Sequence, residues 1–203
     1  AGSGDITVSS AIAKTAGADA TLTLRADNNI YINNNITSST GKLNITLSAA
    51  NATGATVGGV DVNANLTSNG GDILIGGGTG TVTNGIGFAR NIDANSPAVA
   101  VEAGKSITSG GGNITINGHS SATASNLNGG EPKSGIYIKA LANTSTSIVS
   151  GTGDIFFNGR SSASSYVNGI NFQFTSGSVT TVGTSPSAGR INLNAVNDVT
   201  VES

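Results

Sequence analysis

The stretch Gly112-Asn113-Ile114-Thr115-Ile116 decides the fold, because its pattern recurs along the whole chain. The pattern is a small residue or Leu, a polar residue, and then two apolar residues separated by one residue of any kind. Apolar residues at every second position indicate a short β-strand with one buried face. Further copies begin at Gly4, Ala20, Leu43, Gly71, Gly153 and Gly189.

Two further motifs alternate with the first in a fixed order. One is Gly followed by an apolar residue, any residue and a second apolar residue, with copies at Gly59, Gly85, Gly135 and Gly169. The other is an apolar residue followed, directly or after one residue, by Ser or Thr just ahead of the first motif, with copies at Ile36, Leu66, Ile107 and Ile148. Three short strands per repeat predict an all-β fold, a right-handed parallel β-helix in which each strand pairs with its equivalent one coil later. We expect the inward ladders of this solenoid to include Ile73/Ile75, Ile114/Ile116, Ile155/Phe157 and Ile191/Leu193.

The distance between successive copies varies, and a solenoid explains this variation by insertions that loop out between unchanged coils. We place the looped insertions at 76–84, 118–134 and 159–168. An all-β sandwich is the competing fold, but its strands need not recur as the same three motifs in the same order. Residues 1–203 are expected to form a single segment of a longer protein, because the sequence stops inside a strand pattern at 197–201.

Composition and charge exclude several classes of function. There is no Cys, so neither a disulfide framework nor a thiolate metal site is possible, and we predict no metal or cofactor. Charged residues make up 10% of the chain and the net charge is −2, which argues against nucleic acid as a partner. No apolar stretch reaches the 18 residues of a spanning helix, so membrane insertion is not expected.

Three stretches carry a resemblance to a known family: 24–38, 41–47 and 191–201, which read LRADNNIYINNNITS, GKLNITL and INLNAVNDVTV. They resemble the coils of filamentous-haemagglutinin-type exoproteins, and most of all the high-molecular-weight bacterial adhesins of two-partner secretion. The resemblance implies a virulence protein secreted to, or anchored at, the Gram-negative cell surface, with an outer-membrane two-partner transporter as partner. For the most similar members it implies attachment to a host-cell surface glycan or glycoprotein, including sialylated ones.

Six Asn-x-Ser/Thr sequons are candidate glycosylation sites, because the resembled adhesins are glycosylated at such sites by a cytoplasmic N-glycosyltransferase. A chain of this Asn, Ser and Thr content contains about six sequons by chance, so the count itself is uninformative. Two of the six also occupy the polar repeat position, which suits a turn-capping side chain. The candidates are Asn35, Asn44, Asn51, Asn65, Asn113 and Asn143.

No catalytic constellation emerges, and we predict that the protein is not an enzyme. Asp5, Asp72 and Asp154 share one repeat position, but Asn113 and Arg190 occupy it too, which favours a structural role in turns over catalysis. The single histidine, at 119, begins the second insertion with no Ser or Cys arrangement beside it, and is expected to be a solvated loop residue.

Three aromatic residues, Tyr31, Tyr137 and Phe156, fall on the outward positions of their strands. An exposed aromatic face is a platform for a sugar ring or a protein partner. Alternatively, an insertion folds over them, as 118–134 would beside Tyr137 and Phe156.

Insertions 118–134 and 159–168 bring cationic and hydrogen-bonding groups to one side of the coil. An Arg or Lys there would pair with a sialic acid carboxylate, while Asn and Ser would bind the ring substituents. The candidate ligand-binding residues, including the two aromatics nearby, are His119, Lys133, Tyr137, Phe156, Arg160, Tyr166 and Asn168.

The resulting hypothesis is a non-enzymatic surface adhesin segment that attaches bacteria to host cells through host glycans. An inert structural stalk of a secreted fibre is the first alternative. A β-helix polysaccharide-degrading enzyme is the second, but it needs clustered carboxylates. Long insertions favour the adhesin over the stalk, because loops held on a rigid framework are where binding residues concentrate.

Overall fold

The computed structural model describes residues 4–121, 133–162, 168–184 and 189–202. These residues form strands, turns and bends, with no helix among them. The first nine strands are β1 (Ile6–Val8), β2 (Ile12–Lys14), β3 (Ala20–Arg25), β4 (Ile30–Ile32), β5 (Ile36–Ser38), β6 (Leu43–Ala49), β7 (Val60–Val62), β8 (Leu66–Thr67) and β9 (Ile73–Gly77). The next two are β10 (Thr79–Thr83) and β11 (Ile86–Phe88). The remaining ten are β12 (Val99–Val101), β13 (Ser106–Thr108), β14 (Ile114–Ser120), β15 (Ile136–Ala140), β16 (Ser145–Gly151), β17 (Ile155–Ser161), β18 (Ile170–Phe174), β19 (Val179–Thr184), β20 (Ile191–Val196) and β21 (Val199–Glu202).

The strands stack into three sheets. Sheet A has the order β1-β4-β7-β12-β15-β18-β21, and sheet B has the order β2-β5-β8-β13-β16-β19. Sheet C contains β3, β6, β9, β14, β17 and β20, with β10 and β11 added at β9. Apart from β10 and β11, each strand pairs in parallel with its equivalent one coil later. The predicted all-β, β-helix-like parallel architecture is therefore confirmed.

The core lies between the sheets and consists of the inward apolar residues. The pairs Ile73/Ile75, Ile114/Ile116 and Ile155/Phe157 are fully buried, as predicted. The fourth pair differs, because Ile191 and Leu193 are 45% and 46% exposed. They keep the register of Ile155 and Phe157, but β20 is the last strand of sheet C in the described part of the chain, so no further coil packs on them.

The polar repeat position links neighbouring coils. The Asp72 backbone N–H donates to Asn44 Oδ1 at 3.0 Å, and the Asn113 N–H donates to Asp72 Oδ1 at 2.8 Å. The Asp154 N–H donates to Asn113 Oδ1 at 2.8 Å, and the Arg190 N–H donates to Asp154 Oδ1 at 2.7 Å. Asp and Asn thus act here as interchangeable caps of backbone donors, which is the structural role their repeat position suggested.

Glycine and serine close the turn before four sheet C strands, β6, β9, β14 and β17. A Cβ on Gly112 would lie 2.2 Å from the Gly71 carbonyl oxygen, so the stacked backbones leave no room for a side chain. Ser109 is fully buried, and its hydroxyl donates to the Gly112 carbonyl at 2.5 Å. The serine of the third sequence motif therefore stabilises the turn by donating a hydrogen bond to a buried backbone carbonyl.

The first predicted insertion, 76–84, is part of a β-hairpin. β9 continues to Gly77, and β10 and β11 then pair antiparallel, with β11 returning against β9. Asn84 and Gly85 form the turn with φ values of 51° and 94°, and Asn-Gly is the pair that tight hairpin turns prefer.

This hairpin corrects one motif assignment. The copy of the Gly-apolar-x-apolar motif at Gly85 was expected to be an ordinary coil strand, but it forms β11 in the hairpin. The strand that follows β7 in sheet A is instead β12. The motif fits both places, because alternation alone does not distinguish a parallel coil strand from the second strand of a hairpin.

The other two insertions begin later than predicted. Residues 118–120 belong to β14 and 159–161 belong to β17, and Gly118 pairs with Gly159 in the continuing ladder. The sequence hid this extension because glycine has no side chain to continue the apolar alternation. Residues 122–132 and 163–167, the bulk of these insertions, lie outside the described residues.

Within the part of the chain that the structure describes, no helix is long and apolar enough to cross a bilayer.

Candidate functional site

The extended ends of β14 and β17 place two predicted site residues side by side on sheet C. His119 and Arg160 are partners in the parallel register and are both half-buried. The prediction that His119 is a solvated loop residue is wrong, because the strand continues through it. Its position on a hydrogen-bonded strand next to Arg160 holds both side chains on a rigid framework.

A third residue, Arg90, joins them from the segment that follows the hairpin. Arg90 Nη1 lies 2.8 Å from His119 Nδ1, and His119 Nε2 lies 2.7 Å from Ser162 Oγ. A guanidinium only donates hydrogen bonds, so Nδ1 is the acceptor and the imidazole proton sits on Nε2. His119 is therefore neutral, and its N–H donates to the Ser162 hydroxyl.

An aromatic ring forms the floor of this cluster. The Arg160 guanidinium carbon lies 4.1 Å from the centre of the Phe88 ring, which is 1% exposed. The His119 ring meets the same ring edge to face, with centres 6.5 Å apart and an angle of 82°. A cation over an aromatic face is attracted by the ring quadrupole, so Phe88 holds the guanidinium in place without neutralising it.

The electrostatics of this group, which we call the Arg90–His119–Arg160 cluster, are cationic. The ion pairs between described residues are Lys139 with Glu102 and Arg190 with Asp154, so neither Arg90 nor Arg160 has a carboxylate partner among them. Arg90 Nε is buried and has no hydrogen-bond partner. Two guanidinium groups with donors that no described residue uses make this cluster a candidate site for an anion.

The pKa of His119 is lowered from its ordinary value. Burial is the largest cause, and the charges of Arg90 and then Arg160 add to it. Burial also lowers the pKa of the Arg90 guanidinium. Both effects follow from withdrawing charge from water, and the effect on His119 agrees with the neutral ring that the hydrogen bonds require.

The remaining candidates are not part of the Arg90–His119–Arg160 cluster. Lys133 is 9% exposed and Asn168 is half-buried, with its carbonyl accepting a hydrogen bond from the Gly135 N–H at 3.1 Å. Tyr137 lies on the outward side of β15 but is only 1% exposed, and its hydroxyl donates to Gln173 Oε1. It is a covered residue and offers no platform, while most of the insertion 118–134 that was expected to cover it lies outside the described residues. Tyr166 lies outside the described residues.

Tyr31 and Phe156 remain half-buried on the outward sides of sheets A and C. Phe156 lines a groove with Asn84 and Gly85, so the element beside it in the described structure is the hairpin turn.

The sequons differ in how freely their amide nitrogen is presented. Asn51 Nδ2 donates to the carbonyls of Ala26, Ser48 and Ala49, at 2.8, 2.6 and 3.2 Å. Asn143 instead sits in an exposed turn with φ of 61°. At the other four sequons the amide oxygen caps the backbone of the next coil, and these are Asn35, Asn44, Asn65 and Asn113. Glycosylation stays a prediction, and Asn143 is an exposed acceptor whose side-chain amide bonds no described residue.

Sequence reasoning missed Arg90 and Phe88, which complete the cluster. The signal that points to them is Asn84-Gly85, which marks the hairpin that carries Phe88 and leads directly into Arg90. Among the described residues, no three His, Asp or Glu side chains lie close enough together to hold a metal ion.

Comparison with known proteins adds no assignment, since no family model, no curated protein and no solved structure matches this chain.

Proposed function

We propose that this chain is the adhesive segment of a bacterial surface protein, and that it binds an anionic host glycan at the Arg90–His119–Arg160 cluster. The observation that carries the proposal is the pair of guanidinium groups that flank a neutral histidine over the Phe88 ring. The winding of the three-stranded coils as a right-handed β-helix is part of the same proposal.

The geometry supports recognition of a sugar carboxylate or sulfate. Arginine binds such groups through parallel N–H donors, and charge-assisted bonds of this kind are stronger than neutral ones. The aromatic floor and the strand ladder hold Arg160 in place before the ligand arrives, which lowers the entropy cost of binding. Sialic acid, which the family resemblance implies, carries one such carboxylate.

Localisation and export follow from the resemblance alone. The repeat motifs support export by a two-partner outer-membrane transporter to the Gram-negative cell surface. Stacked coils then hold the cluster on a framework in which each strand is paired on both sides, except at the ends of the sheets.

The stalk remains the second candidate, and one observation favours it. The ladder of Asn44, Asp72, Asn113 and Asp154 ties four successive coils together at the same position, as a rod under tension requires. A stalk has no use for two arginines that lack a carboxylate partner among the described residues, so substitution of these arginines distinguishes the candidates.

The experiment is a mammalian glycan array probed with the purified segment and with Arg90→Ala/Arg160→Ala. Arg25→Ala is the matched control, because Arg25 is an exposed arginine on β3 of the same sheet. The proposal predicts selective binding of acidic glycans by the wild type and by the control, and its loss in the double variant. An array on which the folded wild type binds no acidic glycan favours the stalk.

A further inference from the structure

A second surface of sheet C carries hydrogen-bonding groups that the anion cluster does not use. Leu74, Thr115 and Phe156 are aligned by the parallel register on the outward side of β9, β14 and β17. Phe156 and Leu74 are half-buried, so part of each apolar side chain is open to solvent. The other strands of the sheet hold Thr23, Thr46 and Asn192 in the same row, so Leu74 and Phe156 are its apolar members.

The strip is the floor of a groove with two polar walls. One wall is the coil-to-coil ladder, represented by Asp72 and Asn113, and the other is the hairpin turn at Asn84 and Gly85. The groove has a volume of about 330 Å³. This volume lies at the lower end of small-ligand sites, and it fits one or two sugar rings.

Each polar wall residue keeps one side-chain atom that no described residue bonds. Asp72 uses Oδ1 to cap Asn113, which leaves Oδ2. Asn113 uses Oδ1 to cap Asp154, which leaves its NH₂ group. Asn84 accepts a hydrogen bond from Asn158 Nδ2 at 3.2 Å through Oδ1, which again leaves the NH₂ group. The groove thus presents one strong acceptor and two amide donors around an aromatic ring.

We propose that this groove binds a neutral pyranose residue of a glycan. A carboxylate accepts from sugar hydroxyls while amides donate to them, and the apolar face of the ring packs on Phe156. Asp72 disfavours an anionic sugar by charge repulsion, so this ligand is different from the one at the arginine cluster. The inference rests on the proposed function only in taking the ligand to be a saccharide.

The groove and the Arg90–His119–Arg160 cluster lie at different positions along the same strand, β17. Phe156 and Arg160 are four residues apart on β17, which is about 13 Å along a strand. The hydrogen bond from Asn158 to Asn84 brings the hairpin turn against the strand between them. Substitutions at one site therefore leave the other site's contacts in place.

The test is saturation-transfer NMR, followed by titration, with the methyl glycosides of galactose, glucose, mannose, fucose, N-acetylglucosamine and N-acetylgalactosamine. Phe156→Ala removes the floor, and Asp72→Asn removes the charge while keeping a capping oxygen, as Asn44 and Asn113 do at the same repeat position. Tyr31→Ala, which removes a half-buried outward aromatic from sheet A, is the control. Circular dichroism verifies that each variant is folded.

We expect at least one glycoside to bind the wild type and the control equally. Affinity should fall at least tenfold in Phe156→Ala and at least fivefold in Asp72→Asn. Arg90→Ala/Arg160→Ala should bind that neutral glycoside normally, even if it has lost acidic glycans, so failure of one site is distinguishable from failure of the other. No binding of any glycoside to the wild type, or binding that a folded Asp72→Asn retains in full, overturns the groove proposal.

Discussion

His119 Nδ1 accepts a hydrogen bond from the Arg90 guanidinium at 2.8 Å, although the two residues are 29 positions apart in the chain. Arg90 follows the hairpin of β10 and β11, whereas His119 lies on a coil strand. The bond fixes the tautomer of the ring and joins the inserted segment to the repeating framework. The candidate anion site therefore forms only when the hairpin is docked, whereas the hairpin is also held by Asn117 Nδ2, which donates to the Thr83 and Ile86 carbonyls.

Stability should depend on pH through His119. Its pKa is lowered in the folded protein, whereas in the unfolded chain it is about 6.5. At a pH between the folded and the unfolded pKa of His119, the unfolded state binds more protons than the folded state. The contribution of the neutral His119 to the free energy of unfolding is therefore complete above about pH 6.5 and is lost as the pH falls through the folded pKa. We expect the urea midpoint of the wild type to fall more steeply below about pH 6.5 than that of His119→Gln. Parallel midpoint curves for the two proteins between pH 8 and pH 5 would contradict this.

Removing either arginine should raise the pKa of His119, because both charges lower it. The rise should be larger in Arg90→Ala than in Arg160→Ala, and burial should keep the pKa below its ordinary value in both. An NMR titration of the His119 ring protons measures this directly, with Arg25→Ala as the control. A pKa unchanged in both arginine variants would show that the guanidinium groups do not face the ring.

Gly112→Ala should destabilise the protein by about 1–3 kcal/mol, the usual range for overpacking a close contact. The new Cβ would lie 2.2 Å from the Gly71 carbonyl oxygen, and neither backbone can move without disturbing the ladder. Gly183→Ala is the control, since a Cβ there lies 4.0 Å from its nearest neighbour, Thr181 Cγ2. Urea unfolding monitored by circular dichroism should separate the two variants, and equal midpoints would refute the close-packing argument.

If the chain is a glycoprotein, the folded segment should accept sugar at Asn143 before any other described sequon. Asn143 lies in an exposed turn, whereas the Asn51 amide is tied to three carbonyls. Incubation of the folded segment with a cytoplasmic-type N-glycosyltransferase and its nucleotide sugar, followed by peptide mass spectrometry, measures the order. Modification of Asn51 as fast as Asn143 would contradict the accessibility argument, and no modification at all would remove glycosylation from the account.

The repeating part of this fold was predictable because its rules are local. Alternation at positions such as Ile114 and Ile116 identifies a half-buried strand, and the fixed order of three motifs identifies the coil. The same reasoning assigned Asp72 and Asn113 to turns, and the structure shows their side chains capping the next coil.

The candidate site was only partly predictable, because it forms where the repeat is interrupted. His119 and Arg160 were identified, but their strands continue past Gly118 and Gly159, where alternation gives no signal. Arg90 reaches His119 only because the hairpin folds back on sheet C, a contact between residues of different segments that no local pattern encodes. The exposure of Ile191 likewise depends on whether another coil packs on β20. The alternation of apolar residues does not encode this, because it describes only the strand itself.

In the proposed function, the Arg90–His119–Arg160 cluster attaches this segment to host cells. The most direct measurement is the attachment of beads coated with the wild type, Arg90→Ala/Arg160→Ala or Arg25→Ala to cultured host epithelial cells, at equal coating density. We expect the wild type and Arg25→Ala to attach equally, and the double variant to attach no better than uncoated beads. Attachment of the folded double variant at the wild-type level would contradict the account.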